Sequence, residues 1–341
     1  MDATPAMHLT TQLLSADCEG DIEFAAGLLR AGNLVGIPTE TVYGLAANAL
    51  DDVAVRKIFA AKERPRWDPL IVHICDEAML RLVARDVSPT ARLLMDAFWP
   101  GPLTLLLPRV ATLPDAVTAG RDLVGVRMTR HPVALGVIRA AGVPLAAPSA
   151  NLFGHISPTT AAHVLADLRG RINAVLDAGP CAIGVESTVL DPEVMVLYRQ
   201  GGVSGGQIER IAGKPVHVYV PPSASSTPES LPSPGVGVRH YAPRARLVLV
   251  SSEAELAVAL SRSEAEQTGV MLPAGWAVPW AGPTFAWGRW DDPASLAESL
   301  YRGLRALDDA GVQVILCPLP TGDGSLLEAI RDRLWKAARV A

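Results

Sequence analysis

The hydrophobic pattern changes period repeatedly along the chain. EFAAGLLRAG (23–32) spaces its apolar residues as the last turns of a helix that stops at Gly32, and LVGIP after it predicts a short buried strand. Residues 53–63 predict a helix, LIVHI (70–74) a strand, and two helical stretches fit between 76 and 98. LTLLLP (103–108), VGVRM (124–128), VPLAA (143–147) and INAVLD (172–177) predict strands, and VMVLYR (194–199) predicts another that leads into SGGQIERIAG. Strands alternating with helices predict an α/β domain whose helices cover its sheet.

The alternation breaks at PPSASSTPESLPSPG, where prolines and small polar residues cannot supply a regular core element. It resumes at Leu247 with LVLV, a helix in AELAVALSRSEAE, a strand in TGVMLP and a Trp-bearing loop region. A helix around 294–308, the strand VQVILCPL and a closing helix near 323–339 complete a small, doubly wound, Rossmann-like α/β unit. The predicted organisation is a first domain over 10–217, a linker over 218–243 and a C-terminal domain over 244–341. A length of 341 residues exceeds what one hydrophobic core usually organises, which agrees with two domains.

Composition adds exclusions. Hydrophobic residues make up 49% and charged residues 19%, the balance of a folded protein with a large interior. A net charge of -5 argues against a generally basic nucleic-acid binder and leaves room for a local basic pocket. Cys18, Cys75, Cys181 and Cys317 are far apart and form no CxxC pair, so they suggest neither a disulfide framework nor a zinc site. The N-terminal stretch lacks the basic-then-apolar pattern of a signal peptide, and no apolar run reaches the roughly 18 residues that span a bilayer. These features predict a reduced, cytoplasmic setting with no membrane contact.

Candidate chemistry gathers at the ends of predicted strands. IPTETVYGLA puts Thr39, Glu40 and Thr41 just past a short strand, where such sheets bind ligands and where threonines also serve as ordinary helix caps. KERPRWDPLIVHI sets Lys62, Arg64 and Arg66 against Glu63 and Asp68, a cation excess suited to polyphosphate or to a solvated loop. No GxxxxGK[ST] occurs, so a nucleotide would be bound without a P-loop. His73 lies in an apolar strand and fits either a core histidine or a ligand contact, whereas Arg127 in VGVRM needs an anionic or carbonyl partner if buried. Ser149, Asn151 and Ser157 fall in a turn-rich loop, and Glu186, Ser187 and Thr188 in VESTVLD. The tryptophans of WAVPWAGPTFAWGRW suit a domain core, an interface or both, with core preferred.

In combination these segments are specific. IPTETVYGLAANA, the Lys-x-Arg-Pro segment ending in DPLIVHI, FWPGPLTLLL, VGVRMTRHP, APSANLFGHISPT and GVESTVLD occur in an order that resembles the YrdC/Sua5 family of threonylcarbamoyl-adenylate synthases. The resemblance runs over roughly residues 20–215 and extends through PSPGVGVRHYAP to GVQVILCPLPTGDGSLLEAIRDRLWKAA, as in the two-domain Sua5 form.

It implies a YrdC-like twisted mixed sheet flanked by helices and a reaction joining L-threonine, bicarbonate and ATP into threonylcarbamoyl-AMP and pyrophosphate. The product would pass to a tRNA threonylcarbamoyltransferase complex for t6A37 modification, which leaves direct contact with tRNA open. Carried onto this chain, the resemblance assigns Thr39, His73, Arg127, Ser187 and Thr188 to threonine, and Lys62 and Arg64 to catalysis at the ATP phosphates. Asp68, Ala147, Ser149, Asn151, Ser157, Arg199, Arg239, His240 and Tyr241 fall to the ATP side, with Ser149 and Asn151 near Mg²⁺. Arg239, His240 and Tyr241 are expected to form a mobile cover over the cleft, the alternative being that they only fix the orientation of the C-terminal domain. Three departures stand out: Asp68 where the pattern often has Asn, Gln200 where it has Pro, and Leu123 where it often has Thr. A relative that binds RNA or nucleotides without synthase activity is the competing expectation.

Overall fold

The computed structural model describes residues 9–220, 231–233 and 241–339. Eleven strands form the first sheet: β1 (Gln12–Ser15), β2 (Val35–Ile37), β3 (Gly44–Asn48), β4 (Ile71–His73), β5 (Leu103–Pro108), β6 (Leu123–Arg127), β7 (Leu145–Ala146), β8 (Ala174–Asp177), β9 (Thr188–Asp191), β10 (Val196–Arg199) and β11 (His217–Val218). Their spatial order is β1-β8-β2-β3-β7-β4-β6-β5-β9-β10-β11. The sheet is mixed: β4 and β6 run parallel, whereas β7 lies antiparallel to both β3 and β4. Its central strands are buried along their length, which is why they read as continuous apolar runs.

Helix boundaries follow local chemistry. The Asp51 side chain accepts from the Val53 and Ala54 amides and starts the helix Asp52–Lys62. That helix ends at Glu63 in the left-handed conformation (φ 54), which turns the chain so that Arg64 points back toward the sheet. Elements of this domain without a pattern in the sequence include β3, whose GLAAN lacks β-branched residues, the edge strands β1 and β11, β9, and the helices Pro132–Ala141 and Ala161–Leu168.

The C-terminal domain is a four-stranded parallel sheet, β12 (Arg246–Val250), β13 (Thr268–Pro273), β14 (Thr284–Gly288) and β15 (Val314–Pro318), in the order β12-β15-β13-β14. Period-two alternation divides its strands between two cores. Ile315 and Cys317 face the helices Pro293–Asp309 and Ser325–Ala338, while Leu316 faces the helix Glu253–Leu260 with Trp276 and Trp280. Covering helices on both faces make it doubly wound. Trp287 is fully buried and Trp276 packs 5.3 Å from Trp290, so the tryptophan-rich segment is domain core and includes a strand, β14, that its sequence read as loop.

One core crosses between the domains. Val42, Ile156 and Val185 of the first pack with Tyr241, Leu300, Tyr301 and Leu304. Arg305 reaches Asp167 at 2.9 Å and also donates to the Ile156 carbonyl. The two domains therefore meet through buried apolar surface reinforced by charge.

Candidate active site

The carboxyl ends of β2, β4 and β6 open onto one cleft, with the amino end of β9 and the carboxyl end of β10 on its far side. This is where open α/β sheets leave room for ligands. The cleft is lined by Thr39, His73, Arg127, Ala147, Ser149, Ser187, Arg199, Arg64 and Tyr241 among others, a set rich in charged and hydroxyl side chains.

One end is built around Arg127. Parallel register pairs His73 with Arg127, so both side chains emerge at the same level. Arg127 donates to the Thr41 hydroxyl at 2.9 Å and to the Gly101 carbonyl at 3.1 Å, and it stands 2.7 Å from the Glu40 carboxylate. Thr39 accepts from the Thr41 and Val42 amides and shares a 2.8 Å hydroxyl contact with Thr41, which fixes the loop after β2. Burial would raise the Glu40 carboxyl, but Arg127 and the Thr129 hydroxyl outweigh it and hold it at about 2. Burial and the neighbouring Arg127 push His73 down to about 3, so its ring is neutral. Its Nδ1 is buried with no protein partner among the described residues.

The other end carries Arg64 and Arg199. Arg64 donates to the Asp68 and Pro69 carbonyls and forms a 2.9 Å ion pair with Asp68, both side chains being buried. Asp68, a departure from the family pattern, therefore faces an arginine that balances its charge. Burial raises the Asp68 carboxyl, against the pull of Arg64 and Lys62. Arg199 donates to the Ser187 carbonyl at 2.8 Å and to its hydroxyl at 3.0 Å, and Ser187 in turn contacts Thr104 at 2.8 Å.

Several expected site residues support the cleft from behind rather than lining it. The Lys62 ammonium donates to the Ser149 carbonyl at 2.5 Å and to that of Asn151, and burial brings its pKa well below the ordinary lysine value. Asn151 uses its amide to hold the Leu152 and His155 carbonyls, Ser157 donates to Glu186 at 2.5 Å, and Thr188 donates to the Val203 carbonyl at 2.7 Å. All three are buried. Arg239 and His240 lie outside the described residues. Tyr241 is buried in the cleft wall, stacked 6.0 Å from Tyr301 and lying under the Arg333 guanidinium at 5.0 Å.

Sequence reasoning did not find the contribution of the C-terminal domain. Arg333 pairs with Glu186, a lining residue, at 2.7 Å, and Tyr301 donates to the same carboxylate at 3.0 Å. The signal was present: Arg333 falls on the apolar stripe of its helix with Ile330, Leu334 and Ala337, a buried position that a lone arginine occupies only with a partner.

A mixed α/β domain with an arginine-lined cleft at its strand ends, braced through Glu186 by a second domain, defines a binding site for small anionic substrates. Two family descriptions match this chain, "Telomere recombination" over residues 27–201 and "Threonylcarbamoyl-AMP synthase, C-terminal domain" over 203–339. The Threonylcarbamoyl-AMP synthase of Bacillus subtilis is 44% identical over 339 residues, covering 97% of this chain and 96% of that one. That of Pyrococcus abyssi is 40% identical over 329 residues, with 94% of each chain covered. The crystal structure of P. abyssi Sua5 complexed with L-threonine superposes with a TM-score of 0.88 at 38% identity, covering 96% of this chain and 97% of that one. The chain belongs to the Sua5/YrdC family in its two-domain form.

Proposed function

We infer that this protein is a threonylcarbamoyl-AMP synthase that condenses L-threonine, bicarbonate and ATP, releasing pyrophosphate. Carrying this reading is one cleft that sets Thr39, His73 and Arg127 at one end and Arg64, Ser149 and Arg199 at the other, in a chain that matches a synthase over 97% of its length. Ordered addition makes chemical sense of that arrangement. The unprotonated threonine amine takes up the carboxyl carbon from bicarbonate, with loss of water, and the resulting carbamate oxygen attacks the α-phosphorus of ATP. Pyrophosphate departs with the electron pair of the broken P–O bond.

The residues support distinct parts of this sequence. The Thr39–Thr41 hydroxyls and Arg127 suit the amino-acid carboxylate. Neutral His73 can accept a hydrogen bond from the amine through Nδ1, but a group held at about 3 is too weakly basic to remove its proton at neutral pH. Arg64 and Arg199 suit the phosphates, and with the Ser149 hydroxyl as a hydrogen-bond donor they place positive charge where negative charge develops in attack. Catalysis then rests on positioning, because a carbamate is short-lived in water and has to react where it forms.

Among the described residues no group of three His, Cys, Asp or Glu side chains could hold a metal; Ser149 lines the cleft, and the buried Asn151 Oδ1, without a partner there, lies outside its lining. Magnesium would enter as the counterion of substrate ATP. Delivery of the product to a tRNA-modifying transferase in the cytoplasm completes the proposal. Purified protein supplied with ATP, Mg²⁺ and bicarbonate should release pyrophosphate only with L-threonine and yield a mass-matched adenylate. ATP binding without threonine-dependent release would return the reading to a nucleotide- or RNA-binding protein.

A further inference from the structure

The three cleft arginines are not equivalent. Arg64 is paired with Asp68 and Arg127 with Glu40, each pair buried. Arg199 holds only the Ser187 carbonyl and hydroxyl and has no carboxylate partner among the described residues. Yet a carboxylate is near: Glu186 lines the same cleft, precedes Ser187, and feels the Arg199 charge. What occupies Glu186 instead is the C-terminal domain. Both its oxygens accept from Tyr301, at 3.1 and 3.0 Å, Oε1 also accepts from Ser157, and Oε2 receives the Arg333 Nε at 2.7 Å.

We propose that Arg333 is a positioning residue that keeps Arg199 available to the anionic substrate by taking up the charge of Glu186. The inference rests on the synthase reading in that the substrate is ATP. Around this point Arg333, Lys336 and Arg199 face two carboxylates, Glu186 and Asp332, which the first two cations already engage. Of these three cations the one without a carboxylate partner among the described residues is Arg199, and it lines the cleft. Arg333 also donates to the Gln200 carbonyl at 2.8 Å, which fixes the residue following Arg199. Removing Arg333 would leave a buried carboxylate without its ion-pair partner, and Arg199, whose charge Glu186 already feels, is a cation able to turn toward it. An arginine drawn into such a pair presents much less charge to a phosphate. The second domain thus sets the electrostatics of the first domain's cleft without touching substrate.

ATP binding to the full chain, followed by calorimetry in the absence of threonine, tests this independently of turnover. Arg333→Met should weaken ATP binding by about tenfold or more, while threonine affinity, which depends on the opposite end, changes by less than about twofold. Adding Glu186→Gln to Arg333→Met removes the competing carboxylate and should restore ATP affinity to within about threefold of the original protein. A role confined to holding the domains together predicts no such rescue, so a double variant as weak as Arg333→Met would overturn the proposal. So would an Arg333→Met protein with unchanged ATP affinity. If Arg333→Met does not fold, the double variant, which leaves no stranded carboxylate, carries the test by the same criterion. Wild-type protein that binds ATP but releases no pyrophosphate with threonine would defeat the synthase reading while leaving this comparison intact.

Discussion

The Arg127 guanidinium stands 2.7 Å from the Glu40 carboxylate, and both side chains are sealed from solvent at the inner end of the cleft. Neither charge can be removed alone without stranding the other. Glu40→Gln should therefore destabilise the protein by about 3–5 kcal/mol in urea unfolding and raise the KM for threonine, because Arg127 loses its orientation. Unchanged stability together with unchanged KM would mean that the pair is dispensable.

The same pair sets a pH dependence. The folded pKa of Glu40, about 2, lies below its ordinary value of 4.5, so the stabilisation is complete above about pH 4.5 and is lost as pH falls toward 2. Its size is about 3 kcal/mol. The stability difference between wild type and Glu40→Gln should narrow steadily between pH 5 and 3. A gap constant across that range would show that the carboxylate is not held by Arg127.

His73 behaves oppositely to a usual catalytic histidine. Its folded pKa of about 3 lies below the ordinary 6.5, so the neutral ring's contribution is whole above about pH 6.5 and is lost as pH falls toward 3. Its ring resonances should not titrate between pH 5 and 8 in NMR, and threonine-dependent turnover should show no inflection belonging to His73 near 6.5. Observation of a ring titrating near 6.5 would reopen its assignment as a proton acceptor.

Lys62 separates loop support from phosphate contact. Its ammonium holds the Ser149 and Asn151 carbonyls, so Lys62→Met strands two acceptors and removes the tie between the helix Asp52–Lys62 and the cleft loop. The expected result is a loss of about 2–4 kcal/mol in stability accompanied by weaker ATP binding. Full thermal stability with ATP binding abolished would identify Lys62 as a direct phosphate ligand.

Residues at strand ends were legible because strand prediction places them: Thr39, His73, Arg127 and Arg199 each follow or end a short apolar run, and all four line the cleft. Orientation was not legible at the same positions. Lys62, Asn151, Ser157 and Thr188 sit in equally suggestive motifs, yet their side chains turn to backbone carbonyls or to Glu186, because a buried polar group takes the nearest partner that its loop offers. Contacts across 115 to 147 residues, such as Tyr301 and Arg333 on Glu186, depend on how two domains pack, which no local window contains.

Gly184 tests that packing directly. It adopts φ +80, and a Cβ placed there would lie 2.3 Å from the Ala297 carbonyl oxygen and 2.4 Å from the Glu298 Cα, inside the helix that carries Tyr301. Gly179 has nearly the same backbone conformation, φ +76, with nothing within 4 Å of the added atom. Alanine at Gly179 therefore pays only the left-handed strain, about 1–2 kcal/mol, and should leave ATP affinity intact. Alanine at Gly184 adds a backbone collision that only displacement of the helix relieves, so it should cost more than about 3 kcal/mol. Displacing that helix also withdraws Tyr301 from Glu186, so ATP affinity should fall together with stability. If the two alanine variants lost the same stability and bound ATP equally well, the close approach of the domains at Gly184 would not govern the cleft.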